Sequence, residues 1–354
     1  MRNFRLGKIS GLMTVLAIVA YAGLVGLSGS PTFDNPVQAQ TAGNVPGNSL
    51  GNTSDSDVWR QIRRGEVGKV SIPDLRSAVL INAQGSAWRA ARNGPVSFWG
   101  GLAIAASLAF IFFFNLLHGR ILIKGGRSGE VIPRFSQAER WIHWFTAGSF
   151  ILLGLTGLTL IFGRYVLKPV FGPDVFAIVA NASLQAHNLF GPIFIVALVI
   201  LISLFLKDNL WQKGDLDWLL KGGFISDQHA PSWKFNLAEK FWYWAIFFGG
   251  LAMAGTGILL DFSWLTDQLV ILQLAQVIHA VIALALIAVS FGHIYLGVWG
   301  VEGGLEGMTQ GRVDVNWAKE HHSLWAEEVL GNTPVVDEDI GEADTERKSP
   351  APAE

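Results

Sequence analysis

Long apolar runs alternate with short polar segments along most of this chain. Residues 98–117, 141–163, 186–206, 241–260 and 269–299 are each almost free of charge. Each reaches the ~20 residues that a helix needs to cross a bilayer, so the pattern predicts five membrane spans. A further apolar stretch, Leu12 to Leu27, follows Arg2, Arg5 and Lys8 and precedes the small-residue sequence Val37-Gln38-Ala39. That order reads as an export signal over residues 1–39, with a cleavage site after Ala39. Residues 40–97 are polar and form an exported segment too short for a core of its own. Within it, Val58 to Arg64 carries a short helical pattern and Ser77 to Ile81 an extended apolar one.

The distribution of basic residues orients the spans. Arg120, Lys124, Arg127, Arg134 and Arg140 crowd the segment after the first span. Lys207, Lys213, Lys221, Lys234 and Lys240 crowd the one after the third, whereas residues 164–185 hold only Arg164 and Lys168. The positive-inside rule places the two basic segments in the cytoplasm and 164–185 outside. The seven Lys and Arg of residues 40–97 run against this trend, but a leading signal sets the topology. The expected location is therefore the bacterial inner membrane, multi-pass, with a periplasmic mature N-terminus. The tail 300–354 is then cytoplasmic, and its charged end is expected to be disordered.

Composition agrees and narrows the chemistry. The chain is 51% hydrophobic and 15% charged, too apolar for an ordinary soluble domain. Its net charge of −2 leaves no nucleic-acid footprint. It has no cysteine, which excludes disulfides, thiolate-bound iron–sulfur clusters and Cys-type zinc sites within it. Any metal must be held by His or carboxylate. Its 14 tryptophans fit interfacial belts that face membrane lipid.

An internal repeat appears at an offset of 100. RFSQAERWIHW, from Arg134, aligns with KFNLAEKFWYW, from Lys234, and Thr156-Gly157-Leu158 aligns with Thr256-Gly257-Ile258 without a gap. Residues 118–299 thus read as two related hairpins forming a four-helix core, with the span 98–117 as an addition. Such bundles place cofactors between facing helices.

The histidines point to the chemistry. His279 and His293 lie fourteen positions apart on the last span. At about 1.5 Å and 100° per residue they share a face and stand about 21 Å apart, one toward each leaflet. His187, at the outer start of span 3, matches the depth of His279, and His143, at the inner start of span 2, matches His293. An ionisable residue inside a membrane suggests function by default. Two bis-histidine sites, one above the other, is the arrangement of a di-haem cytochrome b, in which paired axial imidazoles serve electron transfer. The competing possibility is isolated polar residues bonded to neighbouring helices. The glycines 148, 154 and 157, and 249, 250, 255 and 257, suit either a flat macrocycle or close helix contact. His118, His229, His321 and His322 read as solvated surface residues. The fold class is thus an all-α membrane protein: a di-haem four-helix bundle with one extra N-terminal transmembrane helix and a signal peptide.

RFSQAERWIHW, LTGL, QAHNLFGP, KFNLAEK, QLAQVIHA…FGHIYLG and DVNWAKEHHSLWAEE together resemble the gamma subunit of membrane-bound formate dehydrogenase, its cytochrome b subunit, over residues 55–330. The resemblance implies two haem b groups, ligated by His187 and His279 on the periplasmic side and by His143 and His293 on the cytoplasmic side. It implies an electron-transfer subunit, with formate oxidation in an alpha subunit carrying a molybdenum or tungsten pterin. Electrons would arrive through the iron–sulfur clusters of a beta subunit and leave to menaquinone or ubiquinone at the cytoplasmic side. The family's quinone pocket uses an Asn before a Lys, here Asn236 in KFNLAEK. That residue reads equally well as a helix N-cap, with Glu239 three positions on. The runner-up is the cytochrome b anchor of another quinone-linked oxidoreductase, such as a hydrogenase or thiosulfate reductase. The chain could also be a transporter built on a repeat, but no span has a mid-depth acidic residue for ion coupling.

Overall fold

The computed structural model describes residues 60, 63–64, 67–69, 79–221, 231–332 and 336–337. The export signal, the end of the tail and His229 lie outside these residues. The chain divides into two units, Met1–Ala83 and Gln84–Glu354. In the first, β1 (Val67–Lys69) and β2 (Val79–Asn82) form an antiparallel ladder that slips register between Gly68 and Lys69. The expected extended run at Ser77 to Ile81 coincides in part with β2.

The helix α1 (Ala83–Ala91), all but its first residue in the second unit, leads through a wide helical turn, Arg92–Val96, into α2 (Ser97–His118). After β3 (Glu130–Pro133) comes α3 (Gln137–Phe205), 69 residues long. At about 1.5 Å per residue this is far longer than the ~30 Å hydrocarbon layer, and it breaks at Gly172 (φ 82°, ψ 171°). Its two halves are the second and third spans. The sequence suggests a loop over 164–185, but the chain stays helical on both sides of Gly172. One glycine at positive φ suffices to turn it, and Pro173 takes the first turn of the second half, where its missing N–H costs nothing. Then follow α4 (Asp215–Leu220), α5 (Leu237–Asp261) and α6 (Leu269–Tyr295). Among the described residues four helices are long and apolar enough to cross a membrane. With α3 counted as two spans, these supply the five expected crossings of a helical membrane protein.

The starts of α3 and α5 are near copies. Ser136 caps α3 and Asn236 caps α5, each accepting from the amide of a Glu three residues on, Glu139 and Glu239. The repeats are cross-tied. Arg134 Nη2 reaches Glu239 Oε1 at 3.3 Å, and its repeat mate Lys234 Nζ reaches Glu139 Oε1 at 2.9 Å. One turn on, Lys240 Nζ donates to both oxygens of buried Asp215, at 2.9 and 2.8 Å. A buried pair of this kind fixes geometry rather than adding net stability.

The added helix α2 packs along the outer side of α6. Ser107 Oγ donates to Ala288 O at 2.6 Å, Tyr295 Oη donates to Asn115 Oδ1 at 3.0 Å, and Arg120 Nε donates to Trp299 O at 3.0 Å. It therefore braces the helix that carries His279 and His293.

One end of the bundle bears a folded cap that the hydrophobic pattern did not announce. It comprises α7 (Gly304–Thr309), β4 (Arg312–Asp314), α8 (Val315–His321), α9 (Ser323–Asn332) and β5 (Val336–Asp337). The strands join β3 in a three-stranded antiparallel sheet in the order β4-β3-β5. The cap has its own core of Ile132, Val313, Trp317, Ala318, Trp325 and Ala326. Residues 312–332 are thus a packed element rather than a solvated tail.

His322, read from sequence as a surface residue, is 1% exposed. Its Nδ1–H donates to Trp233 O at 2.7 Å, and its Nε2 accepts from Arg134 Nη2 at 3.1 Å. Arg134 is buried too, its guanidinium over Trp317 and Phe135. The reason for the correction is that His322 answers the donor of a buried cation, a need invisible in one dimension. His118 is exposed, as expected, and stacks on Phe114.

Burial, with the Arg134 charge beside it, holds His322 well below the ordinary imidazole range. The folded ring stays neutral, while an unfolded histidine takes up a proton below about pH 6.5. The unfolded state then binds more protons, so stability falls as pH drops from about 6.5 toward the depressed folded value. Thermal unfolding of detergent-solubilised protein between pH 7.5 and 5 is expected to show this slope. His322→Gln, whose uncharged amide carries both N–H donors and a carbonyl acceptor, is expected to flatten it, and an unchanged slope would assign the effect to other groups.

Candidate functional site

The four histidines of the spans meet in pairs. His143 and His293 have ring centroids 6.2 Å apart, and so do His187 and His279. The first pair lies toward the capped end and the second toward the open end, about 20 Å away along the helices. His143 and His187 come from the two halves of α3, and His279 and His293 from α6. α6 packs mainly against α2 and α5, while its contact with α3 is slight. The histidines thus face one another across a slot between helices that do not close on each other.

At the open end the repeat is put to use. Thr156 Oγ1 lies 2.9 Å from His187 Nδ1, and Thr256 Oγ1 lies 2.9 Å from His279 Nδ1. Each hydroxyl also donates to the carbonyl four residues back, Leu152 O at 2.8 Å and Ala252 O at 2.7 Å. A hydroxyl has one proton. With that proton on the carbonyl, the oxygen accepts from Nδ1–H, which leaves each Nε2 with a free lone pair. The next residues are glycines. A Cβ at Gly157 would lie 3.4 Å from His187 Cε1, and at Gly257 3.5 Å from His279 Cε1. The Thr-Gly repeat is a signal visible in sequence whose meaning appears only in the structure.

Among the described residues no hydroxyl hydrogen-bonds a histidine at the capped end, and His143 Nδ1 is buried without a hydrogen-bond partner. His293 stacks on Trp242, with ring centroids 5.0 Å apart and planes 18° apart. Tyr243 takes the repeat position of His143 and donates to Ile202 O at 2.8 Å, so it packs the bundle instead of facing a histidine.

The two readings of the span glycines divide by position. Gly249 packs against Leu286, Gly250 against Leu198 and Gly154 against Ile287, which are helix contacts. Gly157 and Gly257 border the histidines, and Gly148 and Gly255 face open space. Asn236 is the N-cap of α5, its Oδ1 accepting from Glu239 N at 3.0 Å. Its Nδ2 makes no hydrogen bond among the described residues.

The spacing of the pairs can be tested against a metal. With metal–nitrogen bonds of about 2.0–2.1 Å and ring atoms roughly 1 Å from the ring centre, two imidazoles on one metal have centroids roughly 6 Å apart. The observed 6.2 Å fits. Among the described residues no cluster of three or more His, Cys, Asp or Glu could hold a metal. Two nitrogen donors alone suit an iron whose other four positions a porphyrin fills. The Nε2 lone pairs left free at His187 and His279 and the glycines beside the open-end rings are consistent with such a group.

A helical membrane bundle with histidine pairs facing across a slot defines the class. Residues 134–311, half the chain, match the prokaryotic cytochrome b561 family, and the chain belongs to it. Membership makes haem b its cofactor. Among curated relatives, the cytochrome b556(fdo) subunit of formate dehydrogenase from Escherichia coli K12 is 28% identical over 209 residues, 58% of this chain and 96% of that protein. The nitrate-inducible formate dehydrogenase cytochrome b556(Fdn) subunit of the same organism is 28% identical over 208 residues, 56% and 92% of the two chains. The formate dehydrogenase cytochrome b556 subunit of Haemophilus influenzae is 28% identical over 221 residues, 59% and 87%.

Proposed function

We propose that this chain is the cytochrome b (gamma) subunit of a membrane-bound formate dehydrogenase, which anchors the complex and passes electrons across the membrane to quinone. The observation that carries the reading is the pair of 6.2 Å imidazole sites at two depths. The formate assignment is supported by the names of the three relatives. His187 and His279 would hold one haem b, on the periplasmic side, and His143 and His293 would hold a second, on the cytoplasmic side. When bound, each haem supplies a one-electron carrier.

The chain's own residues do the rest. α3 and α6 hold each imidazole pair at ligating distance, and α2 and α5 support α6 from its other sides. The basic residues around the cap support a cytoplasmic position for it. There Asn236 Nδ2 donates to a quinone oxygen while its Oδ1 keeps the α5 cap. An alpha subunit with a molybdenum or tungsten pterin oxidises formate, and a beta subunit with iron–sulfur clusters delivers the electrons. A cysteine-free gamma chain agrees with clusters in a partner.

His187→Ala is expected to remove one b haem and His293→Ala the other, read as halved haem content in the purified complex. Formate should then fail to reduce quinone in either variant. Full occupancy of both haems in either variant would contradict the ligand pairs. Asn236→Ser separates capping from quinone binding, because Ser is a good N-cap but lacks the amide donor. A lost hydrogen bond of about 0.5–1.5 kcal/mol corresponds to a rise in quinone KM of roughly two- to twelvefold, with haem content unchanged. An unaltered KM would leave Asn236 a cap alone.

A further inference from the structure

The two histidine pairs differ in one respect that their own spacing does not require. Both open-end imidazoles rest on a threonine hydroxyl at 2.9 Å, while among the described residues His143 Nδ1 is buried without a hydrogen-bond partner. No hydrogen bond reaches the His293 imidazole among the described residues. Thr156 and Thr256 hold equivalent places in the two repeats, so the open-end support is made twice by one device. Their need for a carbonyl is already met, as it is for Thr159 and Ser203, which donate to the carbonyl four residues back and make no hydrogen bond to a histidine among the described residues. The contact with Nδ1 is additional to that ordinary bond.

A chain runs in each case from imidazole N–H to hydroxyl oxygen to backbone carbonyl. Bonds in such a chain polarise one another. A hydrogen bond from the far nitrogen raises the basicity of the ligating one, and a more basic ligand favours the oxidised, more highly charged metal. We propose that Thr156 and Thr256 set the redox order of the two centres. They hold the open-end haem at a lower reduction potential than the capped-end haem, so that electrons entering at the open end run downhill toward the capped end. This rests on the di-haem reading above. The threonines act through His187 and His279 and are positioning residues.

The test is a potentiometric titration of the b-haem absorbance in the intact, purified complex. The unaltered protein is expected to titrate as two one-electron components. In Thr156→Val combined with Thr256→Val, the lower component is expected to rise by a tenfold shift in its oxidised-to-reduced ratio, about 59 mV for one electron. The upper component should stay where it is. The two Ser variants, which keep the hydroxyl, should restore the original lower value, an outcome that a loss of packing alone would not produce. An unmoved lower component, or both components moving together, overturns the role of the threonines while leaving two haems in place. Fewer than two b haems per chain in the unaltered complex overturns the di-haem reading and this inference with it.

Discussion

An imidazole in a bilayer needs a partner for each of its nitrogens, because hydrocarbon offers none. At the open end the threonine hydroxyls meet that need for Nδ1 of His187 and His279, whereas at the capped end His143 Nδ1 has no hydrogen-bond partner among the described residues. α3 and α6 keep their histidine pairs 6.2 Å apart, too far for a direct bond between rings and suited to one metal between them. The slot stays open because α6 leans on α2 and α5 instead of α3. The added first span is thus part of the site's support: Ser107, Asn115 and Arg120 bond to α6 and the residues just after it.

The capped end solves a second problem, the registration of two helical hairpins. The cross-tied pairs Arg134–Glu239 and Lys234–Glu139 lock the start of each hairpin to the other. Arg134 also bonds to Lys234 O and His322, so the cap core is tied to the loop that presents Asn236. The cap and the capping boxes are therefore one connected structure.

The spans were legible because an uncharged run of bilayer length is stable in few settings besides a membrane. The histidine pairs were legible because helical rise converts sequence separation directly into depth. What one dimension did not carry was everything made by long-range pairing. The sheet β4-β3-β5 joins residues about 180 positions apart (β3 with β4) and about 205 apart (β3 with β5), and its strands are too short to show alternation. His322 looked solvated because its neighbours in sequence are polar, while its neighbours in space are Arg134, Trp317 and Trp233. The helix through 164–185 looked like a loop because Gly172, Pro169 and Pro173 are breakers by composition, whereas the chain bends only at Gly172. The Thr-Gly repeat was visible as a repeat, yet its function lies in which ring each hydroxyl meets.

The measurement that bears most directly on the central claim is a dithionite-reduced-minus-oxidised visible spectrum of the purified protein, with haem quantified against chain concentration. Two paired imidazole sites predict two b-type haems per chain, both low-spin and six-coordinate. A protein without haem, or with a single haem unaffected by loss of either histidine pair, would contradict that claim.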